Sequence, residues 1–229
     1  MPEGRREVTA DDRRAEWEAR LLPVLDDARR LGLLGPGPLL PHLDHALGFG
    51  TAAAAAGGVD GLADWVCLDL GAGAGVPGLP LALAWPRTRW TLIDAGERRV
   101  AFLVGAVEAL GLGDRVHVVG GRAEELGRSE RFRGRYDLVV ARGFGPPAVA
   151  AECAAGFLAV GGQAVVSEPP GGRPQRWPAS GLAALGIEPA ATVGAGGASY
   201  QVLRQSAPCP DRFPRRTGIP TKRPLFESA

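Results

Sequence analysis

Apolar residues along this chain follow two periodicities that alternate from residue 65 onward. Short, nearly continuous apolar runs predict buried strands, and apolar residues recurring every three or four positions predict amphipathic helices. The five clearest strand segments are 65–70, 89–94, 115–120, 136–142 and 162–168. The helix segments between them are 97–112, 147–160 and a shorter one that begins near Pro77. This alternation is typical of an α/β fold whose mostly parallel sheet is covered by helices on both faces.

Weaker patterns complete the predicted sheet at its C-terminal end. Alternating apolar residues near 187–193 and 199–204 predict two final antiparallel strands. The pair Gly161-Gly162 is expected to end the helix over 147–160, because glycine commonly follows the last turn of a helix.

The N-terminal region has helical patterns only. Residues 10–32 carry an apolar stripe behind Thr9 and Asp12, which form a T-x-x-D capping pair, and Pro23 is a point where this helix can kink. Segments 42–49 and 52–56 predict short helices. The predicted organisation is a helical appendage over 1–64, a sheet domain over 65–206 and a basic Pro/Arg-rich tail over 207–229.

Composition and charge narrow the function classes only slightly. The chain has 229 residues, is 45% hydrophobic, and holds 26 Lys and Arg against 25 Asp and Glu, so no global charge directs it to nucleic acid or membrane. Three scattered cysteines offer neither metal spacing nor a disulfide framework. A charged N-terminus and the lack of a long apolar stretch favour a cytoplasmic protein that binds no membrane and no metal. We expect a monomer.

The stretch "LDLGAGAGVPG" at 68–78 is the first candidate for chemistry. It contains a G-x-G-x-x-G over Gly73–Gly78, which suggests a dinucleotide cradle, and a D-x-G-x-G over Asp69–Gly73, which suggests an S-adenosylmethionine pocket. Asp69 discriminates between them, because a carboxylate suits the ammonium group of a methionine but repels a pyrophosphate. Pro77 also removes an N–H from the helix start that a phosphate cradle would use. Gly71-Ala72-Gly73 is then the working part of the loop, and Gly78 is expected to serve helix–strand packing.

Other candidate residues follow the predicted strands at the same edge of the sheet. Asp94 ends the second strand, where a carboxylate can accept hydrogen bonds from both ribose hydroxyls of an adenosine. Ala123 and Glu124 follow the third strand and are placed to bind the adenine edge. Arg142 ends the fourth strand and can pair with a carboxylate of the cofactor or a phosphate of the substrate. With Asp69 and the loop residues Gly71, Gly73 and Gly75, they are expected around one crevice.

Several of these motifs together resemble one enzyme family, the bacterial methyltransferases that modify a guanine N7 in 16S ribosomal RNA, also called glucose-inhibited division protein B. The matching stretches are "LDLGAGAGVPGLPLAL" (68–83), "LIDAGERRVAFL" (92–103), "GRAEEL" (121–126), "YDLVVARG" (136–143) and "FPRRTGIPTKRPL" (213–225). The resemblance implies a class I methyltransferase fold, Rossmann-like, with seven strands of which the last is antiparallel. It implies S-adenosylmethionine as cofactor, held by Gly71, Gly73, Val76, Asp94, Ala123, Glu124 and Arg142.

The substrate half of the chain departs from the family pattern. The family usually has Lys-Gly after the fifth strand, whereas this chain has Ser167-Glu168-Pro169, so we expect a repulsive charge toward RNA there. The family's serine after the ribose aspartate is Ala95 here.

Methylation of guanine N7 requires no general base, because the attacking lone pair carries no proton. We therefore predict no catalytic residue. The chain needs only to position the reacting groups, and Arg142 is the candidate for that role. The tail supplies a local basic surface for phosphates, and its candidate RNA-binding residues are Arg212, Arg215, Arg216, Lys222 and Arg223. The predicted partner is 16S rRNA or the small ribosomal subunit. The alternatives are an S-adenosylmethionine-dependent methyltransferase with another substrate, and a non-catalytic RNA-binding or ribosome-assembly protein on the same fold.

Overall fold

A computed structural model of the chain describes residues 9–57, 64–169 and 174–227. Its centre is one seven-stranded sheet. The strands are β1 (Val66–Leu70), β2 (Arg89–Asp94), β3 (Val116–Gly120), β4 (Tyr136–Ala141), β5 (Leu158–Glu168), β6 (Ile187–Ala195) and β7 (Ala198–Gln205). Their order is β3-β2-β1-β4-β5-β7-β6, and β7 runs antiparallel to both of its neighbours. The predicted α/β fold with a mostly parallel seven-stranded sheet is confirmed.

Eight α-helices are assigned in the described part of the chain. They are α1 (Ala10–Arg30), α2 (Leu40–Ala55), α3 (Gly78–Ala84), α4 (Glu97–Ala109), α5 (Ala123–Leu126), α6 (Pro147–Phe157), α7 (Ala179–Ala183) and α8 (Ile219–Lys222). The predicted capping pair is present, because Asp12 N donates to Thr9 Oγ1 over 3.1 Å and Thr9 N donates to Asp12 Oδ2 over 3.0 Å. The helix α1 continues through Pro23, and the two short helices predicted after it form the single helix α2.

The predicted end of the helix over 147–160 is wrong. The helix α6 ends at Phe157, and β5 begins at once with Leu158, which pairs with Tyr136 of β4. The pairing then shifts by three residues on β5, so that Leu138 faces Gln163. Gly161, with φ of +88°, lies inside this irregularity and therefore interrupts a strand instead of ending a helix.

The two N-terminal helices pack against the sheet domain and share its core. Buried Leu21 of α1 and Leu43 of α2 belong to the same apolar cluster as Val140 and Val202 of the sheet. The helix α2 lies against β6 and β7, where Tyr200 donates a hydrogen bond to the carbonyl of His45 over 2.7 Å. The boundary predicted near residue 64 remains a prediction, and residues 58–63 lie outside the described part.

The chain after β7 folds back onto α5 and α6. Arg215 donates through Nη2 to Oε2 of the fully buried Glu152 over 2.7 Å. Phe213, two residues before Arg215, is buried. Arg133 donates hydrogen bonds to the carbonyls of Cys209 and Phe213 over 2.7 Å each. A buried carboxylate requires a cationic or hydrogen-bonding partner, and the tail supplies it.

Within the described ranges, no helix has both the length and the apolar character needed to cross a membrane.

Candidate functional site

The loop over 71–77 joins β1 to α3 at the carboxyl edge of the sheet. Gly71, Gly73 and Gly75 have φ values of +72°, +57° and +81°, a region that only glycine adopts readily. The first residue of α3, Gly78, packs tightly: a Cβ there would lie 2.5 Å from Leu92 Cδ2 and 2.7 Å from Asp69 Oδ2. The predicted packing role of Gly78 is confirmed.

Asp69 lies beneath this loop and is 1% exposed. Its Oδ2 accepts a hydrogen bond from the backbone N–H of Gly78 over 2.8 Å, whereas its Oδ1 has no partner among the described residues. Burial raises the pKa of this carboxyl group to about 7, against the opposing effect of the Gly78 N–H. A buried carboxylate oxygen without a donor is the arrangement that a cationic ligand group would satisfy.

Asp94, at the end of β2, contacts the glycine loop, the residue before α4 and the first turn of α4. Its Oδ2 accepts from Gly73 N over 3.0 Å, and its Oδ1 accepts from Gly96 N over 2.8 Å. Arg99, in the first turn of α4, lies 3.3 Å from the same carboxylate. The carboxylate is therefore fixed at the mouth of the glycine loop while its side chain is only 2% exposed.

A crevice of about 230 Å³ opens beside Asp94. Among the residues that line it are Gly71, Asp94, Ala95, Arg99, Ala123, Glu124, Phe144 and Thr221. Glu124 Oε1 accepts from Gly218 N of the tail over 3.0 Å and lies 3.3 Å from Arg122. Burial opposes ionisation of Glu124, but the Gly218 N–H and the Arg122 guanidinium hold the pKa of this carboxyl below its usual value. The tail thus forms part of the crevice wall.

A second crevice, of about 370 Å³, adjoins the first across Gly143 and Phe144, which line both. The ring of Phe144 lies over the glycine loop, so that a Cβ on Gly71 would come within 2.7 Å of its Cδ2. Arg142 lines the second crevice and donates to Nδ1 of His42 over 2.7 Å. Burial, and then the Arg142 charge, lower the pKa of His42 and bring that of His45, which also lines this crevice, to about 4.

The predicted cofactor residues occupy four different environments. Gly71, Asp94, Ala123 and Glu124 line the first crevice, and Arg142 lines the second. Asp69 lies beneath the loop. Ala72, Gly75 and Val76 are buried. Contact of any of them with a cofactor remains a prediction.

Sequence reasoning did not single out Arg99, Arg122 and Thr221, although all three line the first crevice. Arg99 has a local signal, because it follows Asp94 by five residues at the start of a helix. Thr221 has none, since only the folding of the tail brings it to the crevice.

The basic residues predicted to bind RNA also divide. Arg215 is bound to Glu152, whereas Arg212, Arg216, Lys222 and Arg223 are exposed. RNA contact by each of the five remains a prediction.

The expected repulsive charge of Glu168 is neutralised in the structure. The Glu168 side chain is 3% exposed and forms an ion pair with Arg176, while Trp177 Nε1 donates to its Oε1 over 3.0 Å. The negative charge expected at this position is therefore paired with a cation, and its repulsion of RNA remains a prediction. Within the described residues, no group of three or more His, Cys, Asp or Glu side chains is arranged to hold a metal ion.

The comparison with known protein families agrees with this geometry. The family model for rRNA small subunit methyltransferase G, GidB, matches residues 54–168, which include the glycine loop, Asp94, Glu124 and Arg142. The chain belongs to this family. The resemblance found in the sequence motifs is thereby confirmed.

Relatives in this family extend the match over most of the chain. The ribosomal RNA small subunit methyltransferase G of Deinococcus radiodurans is 39% identical over 181 residues, covering 76% of this chain and 70% of the relative. The enzyme of the same name from Streptococcus thermophilus is 35% identical over 164 residues, covering 69% of each chain.

Solved structures support the fold at lower identity. A SAM-dependent methyltransferase from Aquifex aeolicus is 19% identical with a TM-score of 0.51, covering 73% of this chain and 93% of that chain. The protein YhhF of Escherichia coli, named as a methyltransferase, is 20% identical with a TM-score of 0.54, covering 76% and 90%. The fold is therefore that of the class I methyltransferases.

Proposed function

We propose that this protein transfers the methyl group of S-adenosylmethionine to N7 of a guanine in 16S rRNA. Membership of the rRNA small subunit methyltransferase G family supports the reaction. The observation that carries the proposal is the buried Asp69 Oδ1, which has no described partner and lies under a glycine loop whose mouth is held by Asp94.

The residues present fit this cofactor. Asp69 would bind the ammonium group, which satisfies its orphaned oxygen and favours its ionised form. Asp94 would accept hydrogen bonds from the ribose hydroxyls. Ala123 and Glu124 would border the adenine, and Arg142, at the junction of the crevices, would face the cofactor's carboxylate or the substrate.

The bound sulfonium supplies an electrophilic methyl group for an in-line displacement. With the cofactor bound, the N7 lone pair of the guanine would form the new N–C bond, and the electrons of the broken C–S bond would stay on the sulfur. The base gains the positive charge and no proton is removed from N7, so this chain needs to orient the base and exclude water. The neutral His45 and the Phe144 ring beside the junction suit this role, since neither adds charge there.

The test is methyl transfer from labelled S-adenosylmethionine to small subunits isolated from a strain that lacks this protein, followed by mass spectrometry of the rRNA. We expect one new N7-methylguanine with the wild-type protein and at least a hundredfold slower transfer with Asp94→Ala. Full methylation of every site in the deletion strain would exclude the proposed substrate. Cofactor binding without any transfer to RNA would favour a different substrate or a non-catalytic RNA-binding role.

A further inference from the structure

The second crevice adjoins the one proposed above to hold the cofactor, which makes it the candidate site for the acceptor base. It opens at the carboxyl ends of β4 and β5, beside the crevice at β1 and β2, and the two share Gly143 and Phe144. Its volume of about 370 Å³ is sufficient for a purine base. This inference rests on the proposed function and concerns how the acceptor base is recognised.

The walls of this crevice suit a flat ring. Phe144 and Trp177 contribute aromatic side chains, and Pro147 and Pro169 contribute rigid apolar ones. Enzymes that modify a base extrude it from its stack and hold it between such side chains. Shape alone does not distinguish guanine from adenine, so selectivity requires a polar group.

Two charged groups stand at successive positions along the sheet. Arg142 follows β4, next to the crevice that contains Asp94, and Glu168 ends β5, one strand farther away. A guanine that directs N7 toward the first crevice places its O6 near Arg142. Its opposite edge, with N1–H and the 2-amino group, then faces Glu168.

We propose that Glu168 is the residue that selects guanine, by accepting hydrogen bonds from N1–H and the 2-amino group of the target base. Guanine is the only standard base with two adjacent donors on this edge, and a carboxylate offers acceptors only. Adenine presents an acceptor at N1, and uracil flanks its single N–H with two carbonyl oxygens. A carboxylate therefore favours guanine over the other three bases.

The neighbours of Glu168 hold it ready for this contact. Trp177 Nε1 donates to Oε1, and Arg176 pairs with Oε2, so each oxygen keeps a lone pair for a further donor. The two partners orient the carboxylate and offset the cost of burying it. This explains why a glutamate is stable in a buried position that borders a site for RNA.

The test compares methyl transfer to reconstituted small subunits whose rRNA carries either guanosine or inosine at the modified position. Inosine keeps N7 and N1–H but lacks the 2-amino group. For the wild-type protein we expect kcat/KM to be about 10- to 100-fold higher for guanosine, the range of one hydrogen bond to a charged group. For Glu168→Gln we expect the ratio to fall to within about threefold, with calorimetric affinity for S-adenosylmethionine unchanged.

Ser167→Ala is the matched control, because it changes the neighbouring residue in the wall of the same crevice and leaves the Glu168 carboxylate with both of its partners. We expect it to retain the guanosine preference. A guanosine preference that persists in Glu168→Gln, or one that disappears in Ser167→Ala, would overturn the assignment while the methyltransferase function stands. Absence of transfer to either RNA by the wild-type protein would instead contradict the proposed function itself.

Discussion

Buried carboxylates are the charged residues at the centre of this site, and their partners come from different parts of the chain. Asp69 is bonded to one backbone N–H, Glu124 to a backbone N–H of the tail, and Glu168 to a guanidinium and an indole. Only Asp69 keeps an oxygen that is buried and without a described partner. Its raised pKa and its free oxygen have the same cause, which is burial with incomplete hydrogen bonding.

The state of Asp69 predicts a pH dependence of cofactor binding. The cofactor's ammonium group pairs with the ionised form of Asp69. Because the pKa of this carboxyl group is about 7 in the free protein, it is mostly protonated below that pH and must lose its proton when the cofactor binds. We expect the affinity for S-adenosylmethionine to fall as pH drops from 7 to 5.5, by up to about tenfold per pH unit. Isothermal calorimetry over this range measures it.

The control is Asp69→Asn, which has no titrating group at this position. We expect weaker binding and a flat profile from it. The same raised pKa means that the unliganded wild-type fold loses stability as pH rises from about 4 to about 7, because the unfolded carboxyl ionises more easily. An equally steep binding profile in the asparagine variant would show that another group titrates.

At the scale of elements, the C-terminal tail belongs to the folded domain. Arg215 is bound to Glu152 of α6, Thr217 donates to Glu125 of α5 over 2.8 Å, and Gly218 donates to Glu124. The tail therefore contacts the helices α5 and α6 and also lines the first crevice. Arg215 and Arg216 are neighbours in sequence with different roles, since one faces Glu152 and the other is exposed.

This difference predicts a large loss of stability for one of two adjacent substitutions and almost no change for the other. Arg215→Ala leaves the Glu152 carboxylate, which is 0% exposed, without its cation, so we expect the free energy of unfolding to fall by about 3 kcal/mol. Arg216→Ala removes an exposed side chain, and we expect a change within about 0.5 kcal/mol. Urea denaturation of both variants measures this, and equal stabilities would contradict the structural role of Arg215.

At the scale of the whole molecule, the chain is almost neutral, so any attraction for RNA is local. The exposed basic side chains of the tail are Arg212, Arg216, Lys222 and Arg223. They lie on the same segment as Thr221, which lines the first crevice. Phosphate contacts there would position RNA near the site without a large basic surface.

This arrangement predicts the salt dependence of RNA binding. The triple variant Arg216→Ala, Lys222→Ala and Arg223→Ala should bind rRNA more weakly, and its log–log slope against salt should be shallower by roughly 0.7 to 0.9 per lost phosphate contact. Filter binding at several salt concentrations measures it. A triple variant at Arg13, Arg30 and Arg98, on the two helices α1 and α4, is the control for net charge. Equal slopes in both variants would show that these tail residues do not contact RNA phosphates.

Local sequence signals predicted the sheet well, and they predicted which residues lie at its carboxyl edge. Apolar periodicity located all seven strands, and the spacing of Asp69, the glycines and Asp94 placed two carboxylates at one edge of the sheet, because parallel strands end at the same edge. The end of α6 was mistaken because the apolar residues after Phe157 suit a helix as well as a strand, and pairing with Tyr136 made them a strand.

The partners of the charged side chains followed only from the tertiary structure. Arg142 meets His42 at a separation of 100 residues, Glu124 meets Gly218 at 94, and Arg215 meets Glu152 at 63. No sequence pattern joins such positions, because packing brings them together and burial then requires each charge to find a partner. The sequence of this protein thus determined the strand–loop–helix unit with its two carboxylates, while the surroundings of Glu168 and the docking of the tail arise from the fold.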